Sequence, residues 1–221
     1  VAAGALLLAP GLAHAQPAPG AAPAAPAAPA RPTPPPVQSV PLGYIELLDD
    51  ARYELMGSYA NIDFRDIGRP YEGAEVAIAE AQQTGRFMNL DFTIEKFEGT
   101  TVEEMSAQID SWIAAGAHFV LVDLPADMLV QLADAVAGKP VSLFNVSAQD
   151  DSLRAENCRA NVFHTMPSYA MYEDALAQYL STKNWRDVLV LEGPLPADQL
   201  IAEAFQRSAQ KFGLRVSEVV P

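Results

Sequence analysis

The sequence predicts an α/β fold built on parallel sheets, and three observations carry that expectation. Two short runs, His118 to Leu124 (HFVLVDL) and Asp187 to Gly193 (DVLVLEG), are apolar with almost no alternation, as strands covered on both faces require. Longer stretches between such runs repeat apolar residues at helical spacing. Gly116, Gly138 and Gly213 stand where those stretches stop, the usual place for a helix-ending glycine. Strands joined through helices in this way pair in parallel by right-handed crossovers and place helices on the sheet faces.

Leu42 to Leu48 reads as the first strand, with Asp49 and Asp50 at its carboxyl end. A polar and aromatic connection through Tyr53, Tyr59, Phe64 and Arg65 leads to Gly68-Arg69-Pro70, where proline permits a helix to start. That helix is expected to turn Ala74, Val76, Ala77, Ile78 and Ala81 inward and to end by Gly85. Asn89 to Phe97 alternates as a second strand. In the next helix Val102, Met105, Ile109, Trp112 and Ile113 form one apolar stripe, closed by Gly116 before the third strand.

Pro125 to Asp127 stops that strand and opens a helix marked by Met128, Leu129, Leu132, Ala133 and Val136. Val141 to Val146 is the fourth strand and Ala160 to Thr165 a short fifth. Pro167 opens a helix through Tyr172, Ala175, Leu176 and Leu180. The buried strand Asp187 to Gly193, a helix from Ala197 to Phe212 with Leu200, Ile201, Phe205 and Ala209 on one face, and a strand from Leu214 to Val220 complete the chain. It stops inside a strand and helix repeat, so the expectation is a truncated chain whose carboxy-terminal part is missing.

Composition limits the function. Of 221 residues, 50% are hydrophobic and 19% charged, enough apolar content to bury a core. Twenty-eight acidic residues against fourteen Lys and Arg give a formal charge of −14 with no basic stripe, which opposes binding to nucleic acid or anionic lipid. The single cysteine, Cys158, excludes an internal disulfide and a thiolate-rich metal site and reads as a packed or idle thiol. His118 and His164 have no evident catalytic partner, and no G-x-S-x-G, H-E-x-x-H or G-x-G-x-x-G motif is present. His118, inside an apolar run, reads as a core or interface histidine.

Residues 1–15 form an apolar segment interrupted by Pro10 and Gly11 and ending in Ala13-His14-Ala15, the pattern of a signal peptide whose start is missing, cleaved before Gln16. Residues 16–39 are largely Ala and Pro and read as a semi-rigid linker. The ordered domain is expected from Val40.

The units GYIELLDDARYE (43–54), GRPYEGAEVAIAEA (68–81), VEEMSAQIDSWIAAGAHFVLVDL (102–124), PSYAMYEDALAQYL (167–180) and AFQRSAQKFGLRV (204–216) together resemble the type I periplasmic binding proteins, among them the branched-chain amino acid binding proteins of ABC transporters. The first, second and last of these units more narrowly resemble the subfamily associated with PQQ-dependent alcohol dehydrogenase systems. The resemblance covers about Pro41 to Pro221. It implies the type I periplasmic binding protein fold, with two parallel-sheet lobes closing on a solute, lobe one over 40–164 and an incomplete lobe two over 165–221. It implies a monomeric, periplasmic, non-catalytic solute-binding component of an ABC transporter, partnered by a small-molecule solute and a permease, without cofactor and linked to PQQ-dependent alcohol oxidation. The alternative it leaves is a periplasmic sensor or accessory protein that binds PQQ or a hard metal ion, calcium or a lanthanide.

Ligands of open α/β sheets sit beyond the carboxyl ends of the strands. There the candidate ligand-binding residues are Asp49, Asp50, Tyr53, Asp127, Ser147 and Gln149. The resemblance implies a carboxylate clamp of hydroxyls and amides in the loops after the third and fourth strands, where this chain has Pro125-Ala126-Asp127 and Ser147-Ala148-Gln149. Asp127 would repel an α-carboxylate. Asp49, Asp50, Asp123, Asp127, Asp150 and Asp151 could converge on a hard cation, or Asp127 and Asp151 could simply cap helices. Tyr53, Tyr59, Phe64 and Tyr71 with Arg52, Arg65 and Arg69 could hold a planar tricarboxylate, or cover the sheet edge while the arginines pair with Asp63 and Asp66.

Overall fold

In the computed structural model, which describes residues 36–53 and 68–221, the elements alternate as the sequence predicts. They are β1 (Gln38–Leu47), α1 (Pro70–Met88), β2 (Leu90–Gly99), α2 (Val102–Ala114), β3 (Phe119–Asp123), α3 (Ala126–Ala135), β4 (Ser142–Asn145), β5 (Val162–His164), α4 (Tyr169–Thr182), β6 (Asp187–Leu191), α5 (Pro196–Phe212) and β7 (Arg215–Val220). Short 3-10 turns occupy Ala51–Tyr53 and Asp151–Arg154. The amino-terminal segment, most of the linker, and Tyr59, Asp63, Phe64, Arg65 and Asp66 lie outside the described residues.

The first sheet has the order β2-β1-β3-β4-β5 and every pairing in it is parallel. β1 is flanked on both sides, so the run Gly43 to Glu46 is fully buried, whereas β2 is an edge strand whose residues alternate between exposed and half-buried. β6 and β7 form a second, two-stranded parallel sheet.

One core joins the first sheet to α2 and α3. Met105, Ile109 and Trp112 of α2 and Leu129, Leu132 and Ala133 of α3 meet Ile45, Val120, Val122 and Leu143 of the sheet. This bears out the stripe read from the α2 sequence, with Val102 and Ile113 half-buried at its margin. A reciprocal cap starts α2 in register: Thr101 Oγ1 accepts from Glu104 N at 3.3 Å, while the Glu104 carboxylate accepts from Thr101 N at 3.3 Å and Thr100 N at 3.0 Å.

Several inward faces differ from the sequence expectation, for reasons of packing. On α1 only Ala74 and Gly85 are buried, Ile78 and Ala81 are half-buried, and Val76 and Ala77 face solvent, because α1 covers the edge strand β2 with a narrow stripe. Gly85 does not end this helix. A Cβ there would meet Leu90 O at 2.7 Å, so the glycine serves a close approach to β2, and Asn89 in the left-handed conformation (φ 54°) makes the stop. On α4 only Ala177 is buried, and Tyr172, Ala175 and Leu176 are exposed. β6, expected to be buried, alternates instead. Val188 and Val190 pack with Ala177, Phe205 and Ala209 of α4 and α5, while Leu189 and Leu191 are exposed, because both helices cover the same face. His118 is exposed just ahead of β3 with its Nδ1 2.7 Å from Pro140 O, and Cys158 is an exposed free thiol.

Gly43 is required by packing rather than by backbone conformation. It sits at the centre of β1 under the indole of Trp112, and an added Cβ would overlap ring atoms Cε3 and Cζ3. The indole is 4% exposed and has no room to withdraw. Gly43→Ala is expected to cost about 1–3 kcal/mol of stability, read as a lower urea midpoint with an unchanged m-value.

Candidate functional site

The order β2-β1-β3 makes the chain reverse direction across the sheet between β1 and β3, and their carboxyl ends define a crevice. Asp49, exposed and in the left-handed conformation (φ 55°), turns the chain out of β1. Asp50, only 4% exposed, then folds it back: its Oδ1 accepts from Arg52 N at 2.9 Å and its carbonyl accepts from Tyr53 N at 3.0 Å.

Arg52 is the hub of the crevice. Its Nε and Nη2 donate to Asp50 Oδ2 at 2.9 and 2.6 Å, Nη2 also to Asp123 Oδ1 at 2.8 Å, and Nη1 to Ser147 Oγ at 3.0 Å. One guanidinium thereby ties together the loops after β1, β3 and β4. Tyr53 hydroxyl donates to the same Asp123 Oδ1 at 2.9 Å, and its ring lies beneath the Arg69 guanidinium, 4.8 Å from the centroid. Arg69 itself pairs with Glu46 at 2.7 Å and donates to Leu47 O at 2.8 Å. The loop after β4 is shaped by Asn145, whose Oδ1 accepts from Ser147 N and Ala148 N at 3.2 and 2.9 Å and whose Nδ2 donates to Ala148 O at 2.7 Å.

Burial and pairing set the electrostatics. Burial works against ionisation of Asp50, but the hydrogen bonds and charge of Arg52 outweigh it and hold its carboxyl below the usual range. The Tyr53 hydroxyl is pushed far up, first by burial and then by the negative Asp123 it bonds. Asp150 is raised by burial, with Asp127 and Asp151 adding like charge.

A cleft of about 610 Å³ opens beside this network, lined by Arg52, Asp127, Ser147, Gln149, Asp150 and Tyr169 together with Pro125, Ala126 and Ala148. Its other wall comes from the second sheet's unit, where Leu195, Pro196, Ala197 and Leu200 begin α5. The two walls are held by the crossing segment. Gln149 O accepts from Tyr169 N at 2.9 Å, and Asp151 accepts from Ala170 N at 2.9 Å while pairing with Arg207 of α5 at 2.8 Å. A cleft between two parallel-sheet units, at the switch point of one and the helix start of the other, suits a small solute rather than a macromolecule.

A family model described as periplasmic binding protein matches residues 62–221. The chain belongs to the periplasmic binding protein family. Among solved structures, it is similar to an ABC transporter substrate-binding protein from Desulfitobacterium hafniense (16% identity, TM-score 0.61, covering 82% of this chain and 50% of that one). It is also similar to a leucine-, isoleucine-, valine-, threonine- and alanine-binding protein from Brucella ovis in its closed conformation (16% identity, TM-score 0.59, 83% and 47% covered). A third is a solute-binding protein of an ABC transporter from Rhodopseudomonas palustris in complex with 3,4-dihydroxybenzoic acid (9% identity, TM-score 0.53, 82% and 47% covered). At these identities the likeness concerns the fold, and the chain spans about half the length of these structures. No curated protein sequence matches.

Within this periplasmic binding protein the six expected ligand-binding residues divide. Asp127, Ser147 and Gln149 line the cleft. Asp50 and Tyr53 lie beneath it and hold Arg52 and Asp123, and Asp49 sits in the exposed turn. Arg52, Asp150, Tyr169 and the start of α5 complete the lining. Of these, Arg52 carried a sequence signal as part of the aromatic and arginine set and Asp150 as one of the loop acids after β4, whereas Tyr169 and the start of α5 carried none. No group of three or more acidic, His or Cys side chains among the described residues is arranged to hold a metal. The cation between Asp50 and Asp123 is Arg52 itself. Asp127 makes no cap bond in α3, whereas Asp151 caps α4 through Ala170 N. Arg52 and Arg69 spend their charges on Asp50, Asp123 and Glu46, and Tyr71 packs edge-on against Tyr44, 5.0 Å between centroids, so the described part of the aromatic and arginine set forms no clamp for a tricarboxylate.

Two outcomes test this network. Arg52→Met is expected to destabilise by about 3 kcal/mol, because it strands two buried carboxylates, and chemical denaturation reads the loss. Because the folded-state pKa of Asp50 is depressed, its contribution is complete above the ordinary aspartate range and disappears as pH falls through the depressed value. The stability difference between the natural chain and Asp50→Asn should therefore shrink on acidification, as urea titrations at a series of acid pH values would show.

Proposed function

We propose that this chain belongs to the periplasmic solute-binding component of an ABC transporter, which holds a small solute between two lobes and transforms nothing. The cleft carries this reading, since it combines an apolar wall with a few fixed polar groups at the switch point of the sheet and reaches the start of α5 in the second unit. Residues 40–164 serve as lobe one and residues 165–221 as the start of lobe two. Asp127, Ser147 and Gln149 contact the solute, and Asp50 and Tyr53 act through Arg52, with Asp49 shaping the turn. Closure of the lobes buries the solute and reports occupancy to a permease through the open and closed populations. The family supports a periplasmic location, and the Ala13-His14-Ala15 pattern supports export with cleavage before Gln16.

We further propose that the transporter serves a PQQ-dependent alcohol oxidation system. The support is the resemblance of residues 43–54, 68–81 and 204–216 to that subfamily.

Calorimetry of the full-length protein against short alcohols and aldehydes, amines, branched-chain amino acids, PQQ, calcium and a lanthanide tests the solute-binding reading. One solute is expected to bind at a single site without turnover, and conversion of any of them would overturn the non-catalytic assignment. Recovery of a membrane permease with the solute-loaded protein tests the transporter partner.

A further inference from the structure

Two helix starts face the cleft, that of α3 through Pro125, Ala126 and Asp127 and that of α5 through Leu195, Pro196 and Ala197. Left bare, each would attract an anion, because a helix amino terminus presents free N–H groups and roughly half a positive charge. Neither is left bare. Asp127 stands in the first turn of α3, and Asp198 in that of α5, where its Oδ2 accepts from Leu195 N at 2.9 Å. A carboxylate carries a whole negative charge, so each helix end is reversed in sign rather than merely balanced.

The floor of the cleft has the same sign. Arg52, the one guanidinium in the lining among the described residues, is committed to both Asp50 and Asp123, and Asp123 is fully buried with Oδ2 lacking a hydrogen-bond partner among the described residues. Asp150 adds a half-buried carboxyl that forms no ion pair among the described residues. Against these acids the remaining wall offers the ring of Tyr169 and the side chains of Leu195, Pro196 and Leu200.

We propose that the cleft takes a small organic cation, an ammonium group on a short apolar skeleton, and rejects carboxylates. The inference rests on the reading of this cleft as the solute site. An amine without a carboxylate satisfies both halves of the lining, with its charge toward Asp127 and Asp150 and its skeleton toward Tyr169 and Leu200. A carboxylate would face these acids with no uncommitted cation among the described residues of the lining to receive it.

Calorimetric titration of the full chain with isoamylamine, isoamyl alcohol, isovalerate and leucine varies charge on nearly one skeleton. Isoamylamine is expected to bind at least about tenfold more tightly than the alcohol, with isovalerate giving no heat. Asp127 is exposed, so Asp127→Lys should keep the circular dichroism of the parent while weakening isoamylamine by about tenfold and gaining isovalerate. Equal affinity for amine and alcohol, or tighter binding of isovalerate or leucine, would overturn the cation inference and leave the cleft as a solute site. Failure of all four probes while another solute binds in the cleft would do the same. If no solute binds there at all, the solute-site reading fails and takes this inference with it.

Discussion

The contact on which the site depends is the Arg52 guanidinium held between Asp50 and Asp123. The two carboxylates are 4% and 0% exposed, at the carboxyl ends of neighbouring parallel strands where the chain reverses across the sheet. Two such groups close together cannot both stay ionised in a poorly solvated place without a compensating cation. Arg52 supplies the cation from two residues further along, and its planar fork lets it reach Asp50, Asp123 and Ser147 together. Three loops that converge only because β1, β3 and β4 are adjacent are thereby fixed relative to one another.

A second layer of charge lies beyond the first. Glu46, paired with Asp123 in register across β1 and β3, is 2% exposed and is answered by Arg69 and Lys96 at 2.7 and 2.8 Å. Arg69 then stacks on Tyr53, which returns to Asp123. The carboxyl end of this sheet face is a chain of alternating charges, with Phe119, Phe144 and Phe163 packed on one another further along it, and the opposite face is the apolar core with α2 and α3. The strand sequences contain both faces in alternation: Ile45, Val120 and Val122 to the core, Tyr44, Glu46 and Asp123 away from it.

This division explains why the burial of some elements is legible in the sequence and that of others is not. For α2, period and burial coincide because one face of the helix packs on β1 and β2 and against α3, so Met105, Ile109 and Trp112 can be read from spacing alone. Helices at an edge have fewer neighbours. Val76 and Ala77 on α1, and Tyr172 and Leu176 on α4, are apolar and exposed, and nothing in their spacing separates them from the residues that pack. Leu200 fits the apolar face of α5, yet it turns to the cleft and away from Phe205 and Ala209. Gly85 carries the signal of a helix end and is in fact a place where a helix touches a strand.

By itself the sequence determined the order and type of the elements, the parallel α/β class, the centre of the core at α2 and β3, and the strand-end loops that border the cleft. These are local properties: strand runs, helical periods, caps and turns are decided by neighbours within a few residues. Tertiary structure alone decided which of the loop acids are paired with Arg52. Asp50, Asp123 and Asp127 look alike in the chain, but Arg52 reaches Asp123 across 71 positions and satisfies Asp50 on the way, whereas Asp127 is left exposed at the cleft. It likewise decided that Leu195 to Ala197 stand opposite Ser147 and Gln149. Charge compensation and cleft lining depend on distances between residues remote in sequence, and those distances exist only once the sheets and their crossing segment have packed.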